Sequence, residues 1–356
     1  MIRYAVVGAG WISQEAFLPA VALTGNSRMQ AIVSGSPDAA GKLAAFHGVP
    51  EVVGYDGYDA LLASDQIDAV YIALPNDLHA DYTIRALKAG KHVMVEKPLA
   101  TTLAEGEAML AAARDSGSFL MTAYRLHNEP ATYAMIKAVR SGQIGEPVYF
   151  GSTFGFQTPL GNHRLKAGHW GGALPDVGVY CLNAARHVFA AEPIAVQAMS
   201  SRPATDPRFA EIDGSLAVTL KFPGERLAQF FCSFGSATSE SIRLIGSTGE
   251  LILEQAFKFD TQPKMTVRSD QAEQILQFDR VDHFAGQIAY FSDCIVSKTP
   301  PEPDGEEGLA DMRALLAIDE AARTGETIKL SHLAFKGGLQ PNMLRAFPPT
   351  TRRLLL

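Results

Sequence analysis

Residues 6–13 read VVGAGWIS, and this stretch decides the fold of the first part of the chain. An apolar run that is typical of a buried strand stops at Gly8, and a helical pattern starts near residue 11. Glycine at position 8 permits a tight turn, and glycine at position 10 lets the backbone approach a pyrophosphate at the helix N-terminus. An ordinary strand-to-helix turn is the alternative, since Ser13 occupies the third glycine position of the dinucleotide-binding fingerprint. The residues predicted to contact the dinucleotide are Gly8, Gly10, Trp11 and Ile12.

Outward from this turn, residues 1–125 alternate short apolar runs with helical patterns, which is typical of βαβ units and a parallel sheet. The runs lack polar alternation, so both faces of this sheet are expected to be covered. The predicted strands are Tyr4–Val7, Met29–Val33, Ala69–Ala73, His92–Val95 and Phe119–Thr122. The predicted helices lie near 11–24, 37–47, 57–64, 79–89 and 102–116. We therefore predict a Rossmann dinucleotide-binding domain over residues 1–125.

The pattern changes from about residue 147 to residue 278, where segments with a period of two are separated by Gly, Pro and Ser. This predicts an open, mainly antiparallel sheet, and the predicted fold class is α/β followed by α+β. Helices are predicted near 129–141, 175–190, 284–297 and 307–324. We assign a substrate-binding and oligomerisation domain to 126–332, whose terminal helices are free to pack back on the first domain. Residues 333–356 lack a clear period and are predicted to be a loose C-terminal extension.

Composition excludes several classes of protein. A net charge of -7 and a pI near 5.7 argue against a nucleic-acid partner. No window approaches the roughly 18 uninterrupted apolar residues of a membrane span, and we expect no signal peptide and a cytoplasmic location. The spacing of the cysteines and of three histidines predicts neither disulfides nor a metal site. These residues are Cys181, Cys232, Cys294, His163, His169 and His187.

The end of the second predicted strand bears on the choice of cofactor. NAD enzymes usually carry an acidic residue there, which binds the ribose 2′-OH. This chain has Ser34, Gly35 and Ser36, whose hydroxyls and backbone amides can bind a 2′-phosphate, and Lys42 follows in the next helix. We predict that NADP(H) is preferred. NAD(H) is possible if Asp38 turns back towards the ribose.

Two further motifs carry charged and polar residues. The predicted strand His92–Val95 runs into Glu96, Lys97 and Pro98, which taken alone is a strand terminator, because proline cannot donate to the sheet ladder. In the stretch PDVGVY, Asp176 and Tyr180 are spaced to share one face of a helix, and the proline suits a first helical turn.

The motifs GxG, PNxxH, EKP and DxGxY, in this order and spacing, resemble the Gfo/Idh/MocA oxidoreductases over about residues 1–330. The usual family pattern has His where this chain has Tyr180. This tyrosine, with VSGS at 33–36, AYR at 123–125 and GEEG at 305–308, is most similar to one branch of the family. That branch contains glucose–fructose oxidoreductase, dimeric dihydrodiol dehydrogenase and NADP-xylose dehydrogenase.

The resemblance implies roles for three residues. The lysine at position 97 would reach the reacting hydroxyl and the nicotinamide ribose, and the proline after it often has a cis peptide bond. Tyr180 would act as general base in oxidation and general acid in reduction, with its phenolate form favoured by the charge of Lys97. Asp176 would hold the substrate hydroxyl or Lys97 in place. The alternative for Tyr180 is a partly buried core tyrosine.

Other site residues are predicted with structural alternatives. Three alternatives remain open: a surface ion pair for Arg125, a packing role for Trp170 and a structural role for His79 at a helix start. Further cofactor contacts are predicted for Leu74, Pro75, Asn76, His79, Glu96, Lys97 and Arg125. Substrate contacts are predicted for Lys97, Arg125, Trp170, Asp176 and Tyr180.

The predicted function is an NADP-dependent oxidoreductase that acts on a sugar or a related polyol or carbonyl compound, as an aldose 1-dehydrogenase or in a coupled aldose–ketose reaction. A trans-dihydrodiol or dicarbonyl oxidoreductase is one alternative. An NADP-sensing regulator is another, although such relatives tend to lose the lysine or the acid–base residue. A homodimer or homotetramer through the second sheet is expected, since an exposed apolar face favours association.

Overall fold

The computed structural model describes residues 1–270 and 272–356. The chain divides into two units, and each is described by itself. Unit 1 comprises Met1–Asn128, Val281–Leu309 and Gln340–Leu356, whereas unit 2 comprises Glu129–Arg280 and Ala310–Leu339. The end of the first stretch lies close to the domain boundary expected after residue 125. The segment from Val281, which was assigned to the second domain with freedom to pack back, groups with unit 1.

The sheet of unit 1 has, within the described residues, six parallel strands in the order β3-β2-β1-β4-β5-β6. The order reverses between β1 and β4, the switch point at which open α/β sheets bind ligands beyond the carboxyl ends of their strands. The predicted parallel sheet is therefore confirmed. The strands are β1 (Ile2–Val7), β2 (Ser27–Val33), β3 (Glu51–Val53), β4 (Ala69–Ile72), β5 (His92–Glu96) and β6 (Leu120–Ala123).

The sheet of unit 2 has, again within the described residues, nine strands in the order β14-β13-β12-β11-β7-β10-β9-β8-β15. Every pairing in it is antiparallel except the one between β7 and β10. The predicted mainly antiparallel sheet is confirmed. The strands are β7 (Pro147–Gln157), β8 (Ala195–Ser201), β9 (Ser215–Phe222), β10 (Arg226–Ser233), β11 (Gly235–Gly246), β12 (Gly249–Glu254), β13 (Lys264–Ser269), β14 (Glu273–Gln277) and β15 (Ile328–Lys329).

The helices follow the predicted pattern closely, and local capping explains several of their ends. In α5, for example, Thr102 and Glu105 form a capping box, and Gly117 ends the helix in the left-handed conformation. The helices are α1 (Leu18–Val21), α2 (Pro37–His47), α3 (Tyr58–Ala63), α4 (His79–Lys88), α5 (Leu103–Ser116), α6 (Pro130–Arg140), α7 (Val179–Phe189), α8 (His283–Ser297) and α9 (Gly305–Thr324).

Within the part of the chain that the structure describes, two helices are preceded by a wider, π-helical turn. Residues Ser13–Phe17 lead into α1 in this form, and Leu174–Gly178 lead into α7. Such turns occur often at functional sites. Here one directly follows the glycine turn and the other contains Asp176.

Helix α7 packs on the inner face of the second sheet, against β7 and β10. The inward residues of β9 are buried, as its apolar alternation predicts. A Cβ added to Gly178 would lie 3.1 Å from Sγ of Cys232 and 3.0 Å from Cδ1 of Leu174. Glycine at this position therefore lets the start of the helix approach β10 closely.

Candidate active site

The glycine turn after β1 has the geometry that a dinucleotide requires. The φ angle of Gly8 is +95°, and a Cβ there would lie 2.4 Å from the carbonyl oxygen of Ala73, so this position requires glycine. A Cβ at Gly10 would meet no atom of the described residues within 4 Å. The backbone at Gly10 is therefore open to a pyrophosphate, and Trp11 beside it is 51% exposed.

Two side chains hold the carbonyl groups of this turn. The hydroxyl of Ser13 donates to the carbonyl oxygen of Gly8 at 2.6 Å, and Nε2 of Gln14 donates to that of Ala9 at 2.7 Å. The serine that replaces the third glycine of the fingerprint therefore stabilises the turn. In a trans peptide the C=O and N–H groups point in opposite directions, so holding the carbonyl of Ala9 on the helix side directs the N–H of Gly10 to the other side.

The end of β2 presents the residues predicted to bind a 2′-phosphate. The hydroxyl of Ser34 is buried and accepts the backbone N–H of Ser36 at 3.2 Å. Gly35, Ser36 and Lys42 are exposed, and within residues 1–270 the Ser36 side chain makes no capping bond to α2. The hydroxyl of Ser36 and the start of α2 are therefore accessible to an anion, with the exposed Asp38 in the first turn of the same helix.

The structural role considered for His79 agrees with its position at the start of α4. Its side chain is buried, with Nδ1 2.8 Å from the carbonyl oxygen of Pro98 and Nε2 2.9 Å from that of Leu74. The ring therefore joins the segment after β4 to the segment after β5. Between them, Pro75 precedes a short 3-10 turn that begins at Asn76.

The EKP motif lies at the carboxyl end of β5. The peptide bond between Lys97 and Pro98 is cis. The carboxylate of Glu96 accepts the hydroxyl of Tyr71 at 2.5 Å. Burial raises the pKa of Glu96, although the positive charges of Lys97 and Arg125 and the Tyr71 hydrogen bond oppose the shift.

Arg125 follows β6 and is only 5% exposed, so the alternative of a surface ion pair is wrong. Its guanidinium lies 3.2 Å from Nδ1 of His283 and 6.0 Å from the ring centre of Phe284. Both residues open helix α8. The arginine therefore lies inside unit 1, beyond the carboxyl end of β6. This strand is paired with β5, whose carboxyl end carries the EKP motif.

In unit 2, Asp176 is held by an arginine that the sequence patterns did not single out. Nε of Arg164 lies 3.2 Å from Oδ2 of Asp176, and the two side chains are 28% and 16% exposed. The arginine belongs to the short 3-10 turn His163–Leu165. A Cβ at Gly171 would lie 2.3 Å from the carbonyl oxygen of Arg164, so this glycine permits the loop to close on the arginine backbone.

Tyr180 stands in the first turn of α7 and is 8% exposed. Its ring centre lies 5.8 Å from that of Phe154 in an edge-to-face arrangement and 6.3 Å from that of Phe257. These aromatic contacts fix the position of the ring. This packing is what a core tyrosine would have. A catalytic hydroxyl also requires a ring that is held in place by its neighbours.

Trp170 adopts the left-handed conformation with φ of 48° and is partly exposed. Its indole N–H donates to Oδ2 of Asp319 in α9 at 2.7 Å. Burial raises the pKa of Asp319, although this hydrogen bond opposes the shift. The tryptophan is therefore tied to a helix by its polar edge.

A buried charge network fixes the rotation of α7. Arg186 is fully buried and pairs with Glu192 at 2.7 Å and with Asp311 at 2.6 Å. Asn183 donates to the second oxygen of Asp311 at 2.9 Å. Because removing one partner of a buried pair leaves an uncompensated charge, this network strongly disfavours other orientations of the helix that carries Tyr180.

The comparisons with known proteins bear directly on this arrangement. The model described as "Oxidoreductase family, NAD-binding Rossmann fold" matches residues 2–124, and the GFO/IDH/MocA C-terminal domain model matches residues 133–252. The chain belongs to the Gfo/Idh/MocA oxidoreductase family. The family predicted from the four motifs, the fold class and the class of enzyme are thereby confirmed.

Several proteins with similar sequences or structures are named for reactions of sugars. D-xylose 1-dehydrogenase [NADP(+)] of Haloarcula marismortui is 30% identical over 92% of this chain and 93% of its own length. Aldose-aldose oxidoreductase from Caulobacter crescentus, in complex with glycerol, is 33% identical with a TM-score of 0.88, covering 92% of this chain and 99% of its own. A 3-ketoreductase from Actinomadura kijaniata, in complex with NADP and TDP-benzene, is 30% identical with a TM-score of 0.83, covering 90% and 97%.

Proposed function

We propose that the protein transfers a hydride between the nicotinamide of NADP(H) and a sugar or a related polyol or carbonyl compound. The observation that carries this proposal is the pair of Asp176 and Tyr180 at the π-helical start of α7, with the aspartate held by Arg164 and the tyrosine by aromatic rings. The similarity to a D-xylose 1-dehydrogenase and an aldose-aldose oxidoreductase supports sugars as the substrate class.

In the oxidation direction, a substrate C–OH group becomes C=O. The nicotinamide ring, when bound, accepts the hydride from the carbon. Tyr180 takes the hydroxyl proton as general base and returns it in the reverse reaction as general acid. Asp176 accepts a hydrogen bond from the substrate hydroxyl, and Lys97 donates one to the same hydroxyl. For an aldose oxidised at C1 the product is a lactone.

NADP(H) is the cofactor that the end of β2 accommodates best. Ser34 and Ser36 stand where NAD enzymes carry an acid, and the exposed start of α2 favours an anion. The open backbone at Gly10 accommodates the pyrophosphate. The relatives include an NADP(+) enzyme and a reductase in complex with NADP.

A substrate screen tests the proposal directly. Aldoses, polyols, a trans-dihydrodiol and a dicarbonyl compound are offered with NADP+ or NADPH, and the absorbance of the reduced cofactor is followed. We expect turnover with one or more aldoses or polyols. Turnover with the dihydrodiol or dicarbonyl alone would support that alternative enzyme, and cofactor binding without any turnover would support the regulator.

We also propose that the protein is a homo-oligomer that associates through the outer face of the second sheet. Apolar side chains lie exposed on β8 and β10, the two strands that flank β9, with Met199 at 79%, Leu227 at 44% and Phe231 at 38%. Exposed apolar patches of this kind commonly mark interaction sites. Sedimentation should show a dimer or tetramer that Phe231→Glu dissociates, whereas Val296→Glu, an exposed position on α8, leaves it intact. A monomer at micromolar concentration would contradict the proposal.

A cytoplasmic location is proposed from the cysteines. Cys181, Cys232 and Cys294 are free and buried, as in proteins of reducing compartments. Among the described residues, no helix combines the length and the apolar character that a membrane crossing requires. Fractionation of cells that produce the protein tests the location.

A further inference from the structure

The segment of residues 341–356, here called the C-terminal arm, makes specific contacts along unit 1 and is not a loose extension. Met343 is fully buried. Arg345 pairs with Asp293 of α8 at 2.6 Å, and the carbonyl oxygen of Phe347 accepts the backbone N–H of Asp282 at 2.9 Å. The arm is therefore anchored on the α8 side before it continues towards the first helix of the chain.

Further along, the arm reaches the residues that follow the glycine turn. Arg353 pairs with Glu15, and the backbone N–H of Leu356 donates to Oε1 of Gln14 at 2.8 Å. The other end of the same amide, Nε2 of Gln14, donates to the carbonyl oxygen of Ala9 at 2.7 Å. One buried side chain thus links the arm to the central residue of the glycine turn.

The arm also contacts the helix that begins at the predicted 2′-phosphate site. The guanidinium of Arg352 donates to the carbonyl oxygen of Phe46 at 2.8 Å and lies 5.3 Å from the centre of its ring. Phe46 belongs to α2, whose first turn follows Ser36. The arm therefore contacts α2 and the π-helical turn Ser13–Phe17, the two elements that follow the predicted phosphate sites.

The two bonds of Gln14 depend on each other. A glutamine amide offers an acceptor at one end and donors at the other, so the bond from Leu356 fixes which end faces Ala9. With Nε2 towards Ala9, the carbonyl of that residue is held and the N–H of Gly10 points to the open side of the turn. Without the arm, the amide is free to rotate and this carbonyl loses a fixed donor.

We propose that the C-terminal arm is a positioning element of the cofactor site and acts through Gln14. The inference rests on the proposed binding of NADP(H) at the glycine turn. Gln14 and the arm need not touch the cofactor, because they act by fixing the peptide between Ala9 and Gly10. Their loss should weaken cofactor binding and leave the chemical step at saturating cofactor nearly unchanged.

The test compares Gln14→Leu, Arg353→Ala and deletion of residues 351–356 with the parent protein. One hydrogen bond contributes about 0.5–1.5 kcal/mol, so we expect the Kd of NADPH and the KM of NADP+ to rise about two- to twelvefold for Gln14→Leu. The kcat at saturating cofactor should change less than about twofold. Gln30→Leu, at a partly exposed glutamine of β2, serves as the matched control and should leave Kd unchanged.

A double-variant cycle separates positioning from general stability. Gln14→Leu combined with the deletion should weaken NADPH binding no more than the stronger single change, because both act through one link. Additive effects, or a lower melting temperature with an unchanged Kd, would overturn the inference. If the deletion variant does not fold, Arg353→Ala replaces it in the cycle, and the Kd of NADPH is compared for Arg353→Ala, Gln14→Leu and their combination. A parent protein that binds no NADPH would refute the proposed function itself, whereas a parent that binds and variants that bind equally well refute only the role of the arm.

Discussion

The guanidinium of Arg164 and the carboxylate of Asp176 form an ion pair of 3.2 Å within unit 2, although the two residues belong to different elements. Arg164 lies in a 3-10 turn, and Asp176 lies in the π-helical turn before α7. The arginine therefore fixes one oxygen of the carboxylate that we propose to contact the substrate or Lys97.

Arg164→Met should lower kcat/KM for the sugar about tenfold or more, since a hydrogen bond to a charged group contributes about 1.5–3 kcal/mol and the pair is partly exposed. Arg164→Lys keeps the positive charge and should lower kcat/KM less than Arg164→Met does. The matched control is Lys166→Met in the same loop, where the lysine pairs with Glu211 at the surface. Equal effects of Arg164→Met and Lys166→Met on steady-state kinetics would contradict a specific role for the arginine.

Ser34→Asp should shift the cofactor preference towards NAD(H). A carboxylate at this position repels the 2′-phosphate of NADP(H) and accepts a hydrogen bond from the 2′-OH of NAD(H). The ratio of kcat/KM with NADP+ to that with NAD+ measures the change. Ser34→Ala keeps the site neutral and is the control for loss of the hydroxyl alone. A parent protein that turns over equally well or better with NAD+ would refute the proposed preference.

The buried Glu96 should make the free energy of unfolding of the cofactor-free protein fall with rising pH. Its pKa is raised in the folded state by burial, so above about pH 4.5 the unfolded chain loses this proton first, and the folded state becomes less favoured up to the raised pKa. Relative to the parent, Glu96→Gln should therefore gain stability as the pH rises through this window in denaturant titrations.

Glu105 provides a control of opposite sign for that measurement. Burial opposes the shift, but hydrogen bonds from Thr101 and Thr102 outweigh it and lower the pKa of Glu105. Its contribution to stability is present above the unfolded pKa and is lost as the pH falls through the lowered value. Glu105→Gln should therefore lose stability relative to the parent as the pH rises. If both variants change in the same direction, burial of Glu96 does not control its ionisation.

The Rossmann sheet was predictable because strands covered on both faces carry continuous apolar runs, as β4 does with every residue buried. β3 was not predicted, since its three residues are all partly exposed and form no such run. The shared helix face of Asp176 and Tyr180 was also predictable, because helical spacing alone places residues four apart on one face.

The partners of these residues depend on the path of loops, which leaves no periodic signal. The pairing of Arg164 with Asp176 requires the close approach that Gly171 permits, and nothing in the spacing of HRLKAGHWGG indicates it. The sequence predicts a loose extension over residues 333–356 for a similar reason. Its contacts are mostly made by backbone groups and arginines, so the segment has no apolar period, and the link from Leu356 to Gln14 follows only from the fold.

Lys97 and Tyr180 are expected to act as one catalytic unit. Tyr180→Phe removes the hydroxyl that we propose as the proton acceptor and keeps the ring that packs on Phe154, so NADPH binding should persist. Lys97→Ala removes the ammonium that we propose to bind the reacting hydroxyl. General acid–base catalysis is worth roughly 10²–10⁴-fold, so each change should lower kcat by about that factor.

If both residues serve one proton transfer, the double variant should be little slower than the slower single variant, because losses within one catalytic unit do not add. Fully multiplicative losses would mean that Lys97 and Tyr180 act independently. Phe154→Leu changes a residue next to the tyrosine ring and is the packing control. It should lower kcat far less than Tyr180→Phe does. Near-full activity of Tyr180→Phe would make the tyrosine a core residue, and Asp176 would then be the next candidate for the proton acceptor.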